Sequence, residues 1–196
     1  MSETLSYSQK SQVKRVAKRA SYRKEKVFQL IDDLKMGHVG FVIDAQVFVI
    51  PLTIWRVEEH LYLHVMNKSR LQKIIESGEE ICISFAESSE WVMSKSAYNH
   101  SANYRSAVVY CVGERVSDAE DFDHAFKAII EQVEAGRWAQ IRPPSPHERK
   151  ATALMKLSIN EGSFKRRMGG PNEEPEDLGL PVWHGTKAVC PFHKDK

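Results

Sequence analysis

LYLHVMNKSRLQ, residues 61–72, contains the sharpest change of pattern in the sequence. The apolar run from Leu61 to Val65 has the composition of a β-strand. Ser69 and Gln72 then have the spacing of a capping box, in front of apolar residues at helical spacing. We therefore predict a strand that leads directly into a helix over residues 67–77.

Two cationic side chains, Lys68 and Arg70, stand beside the predicted start of this helix. The first amides of a helix have no intrahelical partner, so these amides and the two cations would together form a compact site for a phosphate group. An alternative interpretation is that both cations are solvated charges beside an ordinary helix cap. The spacing alone favours neither interpretation.

Around this segment, the sequence alternates between strand-like and helical patterns. Runs rich in β-branched and aromatic residues predict further strands at residues 38–43, 46–57, 80–86, 104–116 and 156–168. Helical spacing follows four capping residues, Ser21, Ser69, Asp118 and Ser145, and Gly37 is expected to end the first helix. About six strands in hairpin-like succession, with few strand-helix-strand units, indicate an antiparallel barrel decorated by helices.

The size and charge of the chain limit its class. With 196 residues, 42% of them hydrophobic, it can bury one core, and we expect a polar lead-in over residues 1–20 followed by one domain over 21–196. The formal net charge is only +2, which provides no general field to attract nucleic acid. The sequence shows neither a signal-peptide pattern nor an apolar stretch of about 20 residues, so we expect a cytoplasmic protein without a membrane partner.

Metal, hydrolase and dinucleotide chemistry are not indicated. Cys190 and His193 have the spacing of a ligand pair, with His184 nearby, but a zinc site needs a second pair and none follows. We therefore predict no metal site. The sequence also contains no Gly-x-Ser-x-Gly motif and no glycine-rich dinucleotide fingerprint.

Four segments together resemble the pyridoxamine 5'-phosphate oxidase-like proteins, in the branch that contains the nitroimidazole-resistance proteins. They are NKSR at residues 67–70, FVIPLTIW at 48–55, YRSAVV at 104–109 and LPVWHG at 180–185. The likeness runs from about Lys24 to Gly185. It implies an α+β, mainly β fold, an antiparallel split β-barrel with peripheral helices.

The resemblance also implies a homodimer that binds FMN, or FAD in its place, at the subunit interface, with each flavin in contact with both subunits. The phosphate would be held by three consecutive residues, Lys68, Ser69 and Arg70. The isoalloxazine ring would lie against the backbone of one strand segment, Ile50, Pro51, Leu52 and Thr53. Pro51 has no N–H and so marks an edge or bulge, although an ordinary edge-strand proline would have the same property.

The resemblance suggests roles for three further places. Tyr104, Arg105 and Ser106 begin a strand that runs near the cofactor in such barrels, where Arg105 would either supplement the phosphate site or form a structural salt bridge. Trp183 would either cover the flavin from the partner subunit or only pack on the barrel. His64 stands where relatives place a histidine near the flavin or substrate, and it would relay a proton or be structural.

These features predict a flavin-dependent oxidoreductase that passes electrons from a reductant to a small acceptor. Substrate selection is expected in the polar and aromatic segment over residues 90–103, unless this is a plain surface loop. Oxidation of vitamin B6 is disfavoured, because the C-terminal Arg/His motif of the authentic oxidase is missing. The alternatives are a non-catalytic flavin- or haem-binding module, with His64, His100 or His184 as the axial ligand, and an interaction barrel without a cofactor.

Overall fold

The computed structural model of the protein describes residues 3–189, and its main feature is one antiparallel sheet. The strands are β1 Ala20–Ser21, β2 Met36–Ile43, β3 Gln46–Thr53, β4 Trp55–Val57, β5 His60–Met66, β6 Ile81–Met93, β7 Ser101–Arg115, β8 Thr152–Arg167 and β9 Gly185–Ala188. The α-helices are α1 Lys24–Leu34, α2 Arg70–Glu76, α3 Ala119–Val133 and α4 Pro146–Ala151.

The order of the strands explains the shape of the sheet. It is β3-β2-β6-β7-β8-β5-β4, with β1 paired to β8 and β9 paired to β6. β3 and β4 are the two ends of this order, yet only Ile54 separates them in the chain. The two ends of the sheet must therefore lie next to each other, and the sheet curls into the predicted split barrel.

The prediction of one strand over residues 46–57 is wrong at Ile54. The side chain of Ile54 is fully buried in the barrel, and its amide donates to Lys35 O at 2.7 Å instead of continuing a sheet ladder. An apolar run reads as one strand in sequence, but here the burial of its central residue turns the chain from one edge of the sheet to the other.

Two helices cover the barrel interior at different places. The fully buried side chains Val27, Leu30 and Ile31 place the apolar face of α1 against the barrel core. Ile75 on α2 packs near Gly113, where an added Cβ would lie 2.4 Å from the side chain of Leu157. β7 and β8 therefore approach closely where α2 packs on them.

A second apolar cluster lies on the outside of the barrel, between α3 and the strands β5 and β8. Its buried members are Tyr62, Phe122, Ala125, Ile129 and Leu154. The predicted cap of α3 is confirmed, because the side chain of Asp118 accepts from the amides of Glu120 and Asp121. The predicted start of α4 at Ser145 is also confirmed, with a complete capping box.

The end of the first helix differs from the prediction. Lys35, not Gly37, has the left-handed conformation at its C-terminal end, with a φ of 56°. Gly37 lies in β2, where an added Cβ would lie 2.7 Å from the side chain of Ile54. The glycine is thus required by packing, which local helix-end statistics cannot detect.

The segment over residues 90–103 is more regular than expected. β6 continues to Met93 and β7 begins at Ser101, so only a short turn separates two long paired strands. A shift of register between Ser88 and Glu90 hides the alternation of polar and apolar residues in the sequence.

The first residues described lie on the outer surface of the barrel and are held by Glu161 on β8. Its carboxylate accepts hydrogen bonds from Ser8 N at 2.7 Å and from the hydroxyl groups of Ser8 and Ser11, and it pairs with Lys10 Nζ at 2.9 Å. The hydrogen bond from Ser11 is the main reason that the pKa of Glu161 is lowered to about 2. Leu5 joins the core, so this segment is part of the folded unit.

Within residues 3–189, no helix is both long and apolar enough to cross a bilayer.

We predict that Glu161 makes the attachment of the N-terminal segment pH-dependent. A glutamate in an unfolded chain has a pKa of about 4.3, so the contribution of Glu161 is present above this pH and is lost as the pH falls towards 2. Glu161→Gln should accelerate amide hydrogen exchange in residues 3–23 already at neutral pH. Glu174→Gln, a change of an exposed carboxylate, is the control. Equal protection in the Glu161 variant and the parent protein would contradict this role.

Candidate functional site

The turn between β5 and α2 presents the two cations that the sequence analysis singled out. Lys68 has a left-handed backbone, with a φ of 67°, and Ser69 caps α2 by accepting from Gln72 N at 3.3 Å. The capping box is only half formed, because Gln72 Oε1 accepts from Lys68 N at 2.6 Å rather than from Ser69 N. The side chain of Gln72 thereby fixes the turn, and Lys68 and Arg70 remain on the surface.

Lys68 and Arg70 are not neutralised by neighbouring carboxylates. Both side chains are exposed, and within residues 3–189 neither lies within 4.0 Å of an acidic group. The guanidinium of Arg70 lies 4.3 Å from the centre of the Phe48 ring, a cation–π contact that orients it. Because Phe48 is on β3, the structure brings the turn at residues 68–70 next to the predicted ring-binding strand.

β3 is an edge strand of the sheet, as the missing N–H of Pro51 predicts. Its side chains alternate: Ile50 and Leu52 are half-buried and pack against the core, whereas Pro51 and Thr53 are exposed. Pro51 lies opposite His38 of β2, which is the only strand paired with β3 in the described chain. The other side of β3 is thus accessible to a ligand or to another subunit.

An apolar strip lies on the outer face of this edge. It consists of Val42, Val47, Val49 and Pro51, which we call the edge strip. Val47 is 74% exposed and Val49 is 61% exposed, and Val42 lies directly across from Val47. Contiguous exposed valines on an edge strand are typical of a surface that another protein covers.

Tyr104, Arg105 and Ser106 lie far from this turn within one subunit. Arg105 pairs with Asp33 at 2.8 Å and with Glu87, as in the structural salt bridge considered above. It stands five residues before Tyr110 on β7, so the two lie about 17 Å apart. Tyr110 is in register with Cys82, and Cys82 with Gly40, at the end of the barrel where Phe48 lies. Arg105 and the turn therefore lie towards different ends of the barrel.

Trp183 lies in a C-terminal segment over residues 169–189 that is fastened to β6. Glu173 is its centre: it accepts from Ser94 Oγ at 2.8 Å and from Lys95 N, and it lies 2.9 Å from His184 Nδ1. Burial opposes the charge of Glu173, but these contacts keep its pKa below the ordinary value. Trp183 remains 63% exposed, so its ring is available for stacking.

Sequence analysis missed the residues that hold this segment in place. Arg167 is buried and donates to Asn103 Oδ1 and to the carbonyls of Gly169 and Gly170. Two consecutive glycines after a strand that ends in arginine are a weak signal for these hydrogen bonds, because glycine lets the backbone bend so that its carbonyls face the arginine.

His64 lies on the outer face of β5, beside an apolar cavity that the sequence did not indicate. Its ring centre is 6.5 Å from that of Phe126. Phe126 lines a cavity of about 370 Å³ together with Phe122, Ile130, Trp138, Ile141 and Arg142. The cavity forms only where α3 meets residues 138–148, which are distant from His64 in sequence.

The other histidines considered as ligands are engaged or lie outside the described residues. His100 Nδ1 lies 2.9 Å from Ser96 O, and His184 contacts Glu173. Cys190 and His193 lie outside the described residues. Within residues 3–189, no group of three or more His, Cys, Asp or Glu side chains is arranged to hold a metal ion.

Comparisons with known proteins agree with this architecture. A family model described as pyridoxamine 5'-phosphate oxidase matches residues 23–166. The chain is similar to the flavocytochrome Anf3 from Azotobacter vinelandii, with 32% identity, a TM-score of 0.86 and coverage of 93% of this chain and 85% of that chain. A comparison with curated protein sequences found no match.

Two more distant structures share the fold. The FAD and heme binding protein from Mycobacterium smegmatis is 24% identical, with a TM-score of 0.81 and coverage of 87% of this chain and 84% of that one. A protein described as a 5-nitroimidazole antibiotic resistance protein from Bacteroides thetaiotaomicron is 17% identical, with a TM-score of 0.62 and coverage of 74% and 85%. At these identities the likeness concerns the fold alone.

Proposed function

The chain belongs to the pyridoxamine 5'-phosphate oxidase family, and from this premise we propose that it is a flavoprotein whose flavin phosphate is bound at residues 68–70. The observation that carries the proposal is the pair of exposed, unneutralised cations at a turn beside an accessible edge strand. A phosphate monoester has close to two negative charges at neutral pH, which matches Lys68 and Arg70.

The residues of the turn fit a phosphate group in chemistry as well as in charge. Phe48 holds the guanidinium plane of Arg70 in one orientation, so that its fork is prepared for two phosphate oxygens. Ser69 Oγ accepts from Gln72 N, and its hydroxyl hydrogen is left to donate. One phosphate-sized site favours FMN, while the likeness to an FAD-binding protein makes FAD the second ligand to compare.

The proposed ring site is the free side of β3. Backbone groups there have no strand partner in the described chain, so they would bind the polar edge of a flavin, and Pro51 would provide a flat surface without an N–H. When bound, the flavin would supply the redox chemistry of a small-molecule oxidoreductase. The protein would bind and orient the ring and exclude water from it.

We predict that Arg70→Ala weakens flavin binding by about 1.5–3 kcal/mol, the usual scale of a charge-assisted hydrogen bond. The measurement is a fluorescence titration of flavin-free protein with FMN and, in parallel, with FAD. Lys73→Ala, on the same helix and equally exposed, is the matched control and should bind like the parent protein. Unchanged affinity in the Arg70 variant would refute the phosphate site.

We further propose that two subunits pair through the edge strip and complete the site between them. A dimer would cover the exposed valines, and it would bring the exposed Trp183 of one subunit towards residues 68–70 of the other. The exposed valines of the edge strip, which lies next to the turn at residues 68–70, support this arrangement.

We predict that Val49→Lys produces a monomer, because it places an unpaired charge in the covered surface. Light scattering should show the loss of the dimer, and the flavin titration should show a parallel loss of affinity. Val133→Lys changes an equally exposed valine on α3 and should remain dimeric. A monomeric parent protein that binds flavin fully would contradict the interface site.

Haem is the second candidate ligand, because His64 stands beside an apolar cavity and the chain is 32% identical to a flavocytochrome. Within residues 3–189, the imidazole of His64 has no hydrogen-bond partner, unlike those of His100 and His184. The aromatic walls suit a porphyrin, whereas Arg142 in the same lining is already paired with Glu148 at 2.7 Å.

We predict that the protein titrated with haemin shows a Soret band, which His64→Ala removes or shifts. His100→Ala and His184→Ala serve as controls that retain the parent spectrum. If the His64 variant keeps the Soret band and one of the two controls loses it, the axial ligand is not His64.

A further inference from the structure

A cationic cavity lies on a different part of the barrel from the turn at residues 68–70. It has a volume of about 570 Å³ and is formed by the N-terminal segment, α1 and the adjoining ends of β7 and β8. Five of its side chains are cationic: Lys18, Arg19, Lys26, Arg105 and Arg166. Its size is within the range of small-molecule sites.

Most of this positive charge is not neutralised within the described chain. Arg105 is paired with Asp33 and Glu87, and the acidic residue of the lining, Glu25, is paired with Arg23 at 2.8 Å. The other four cations have no acidic group within 4.0 Å among residues 3–189. Because the whole chain has a formal charge of only +2, four unpaired cations around one cavity are a local feature.

One of these cations, Arg19, also acts on a neighbouring group. The pKa of Arg167 is lowered, first by burial and then by repulsion from Arg19. The segment that provides Lys18 and Arg19 is also fixed to the barrel, since Lys165 Nζ donates to Arg15 O at 2.9 Å and Ala20 pairs with Lys165. The repelling charges are therefore held together by the fold, at a cost that an anionic ligand would offset.

We propose that this cavity binds a small molecule that carries two or more phosphate charges, at a site separate from residues 68–70. Arginine forks and lysine ammonium groups that converge from several sides suit the oxygens of phosphate groups. Phe164 and Met168 in the same lining provide an apolar wall for the uncharged part of the ligand. A concave cavity fits a small ligand, whereas a nucleic acid needs an extended basic surface.

The first test is isothermal titration of the full-length protein with inorganic pyrophosphate. We expect binding that weakens as salt is added and that falls about tenfold or more in the double variant Lys26→Gln/Arg166→Gln. The control, Lys73→Gln/Lys127→Gln, removes two exposed lysines away from the cavity and should bind like the parent protein. Absence of binding to the parent protein, or an equal loss in the control, would overturn the proposal.

Two further measurements separate this site from its alternatives. Arg70→Ala should retain pyrophosphate binding, and Lys26→Gln/Arg166→Gln should retain FMN binding, so either assignment can fail alone. Loss of FMN and pyrophosphate together in the cavity variant would make the cavity part of the flavin site and overturn its independence. A single-stranded DNA oligonucleotide that binds more tightly than pyrophosphate, and is lost in the same variant, would replace the small molecule by nucleic acid.

Discussion

The burial of Ile54 is the constraint on which the rest of the structure depends. With this one residue inside the barrel, the chain passes from β3 at one end of the sheet to β4 at the other. The amide of Ile54 is anchored on Lys35, and Gly37 leaves the space that its side chain occupies. The split barrel therefore has a free edge at β3, and β5 delivers the turn at residues 68–70 beside that edge.

The distribution of paired and unpaired cations distinguishes scaffold from candidate sites. Arg56 and Arg105 on the sheet pair with Asp32 and Asp33 on α1, and Arg149 on α4 pairs with Asp123 on α3. These ion pairs fasten α1 to the sheet and α4 to α3. The cations of the turn, and those of the larger cavity other than Arg105, have no such partners in the described chain. In a chain with little net charge, these two groups of unpaired cations are local features that suit anionic ligands.

Local interactions made much of the fold predictable from sequence. Three of the four predicted caps, Ser69, Asp118 and Ser145, depend on residues no more than three positions away, and all three are present. The fourth prediction is wrong, because Ser21 lies in β1 and α1 follows Arg23 without a side-chain cap. The position of Pro51 on an edge strand follows from its missing N–H. The succession of strands already indicated an antiparallel barrel, and the family resemblance added that this barrel is split.

Features that depend on contacts between distant residues were not predictable in this way. The role of Gly37 depends on Ile54, the partners of Arg105 come from α1 and β6, and both cavities form where separate segments meet. The N-terminal wall of the cationic cavity lies outside the region that matches the family model. Lys18 and Arg19 precede residue 23, where the family match begins. The family model therefore does not describe this wall, and a ligand bound in the cavity would depend partly on residues outside the family pattern.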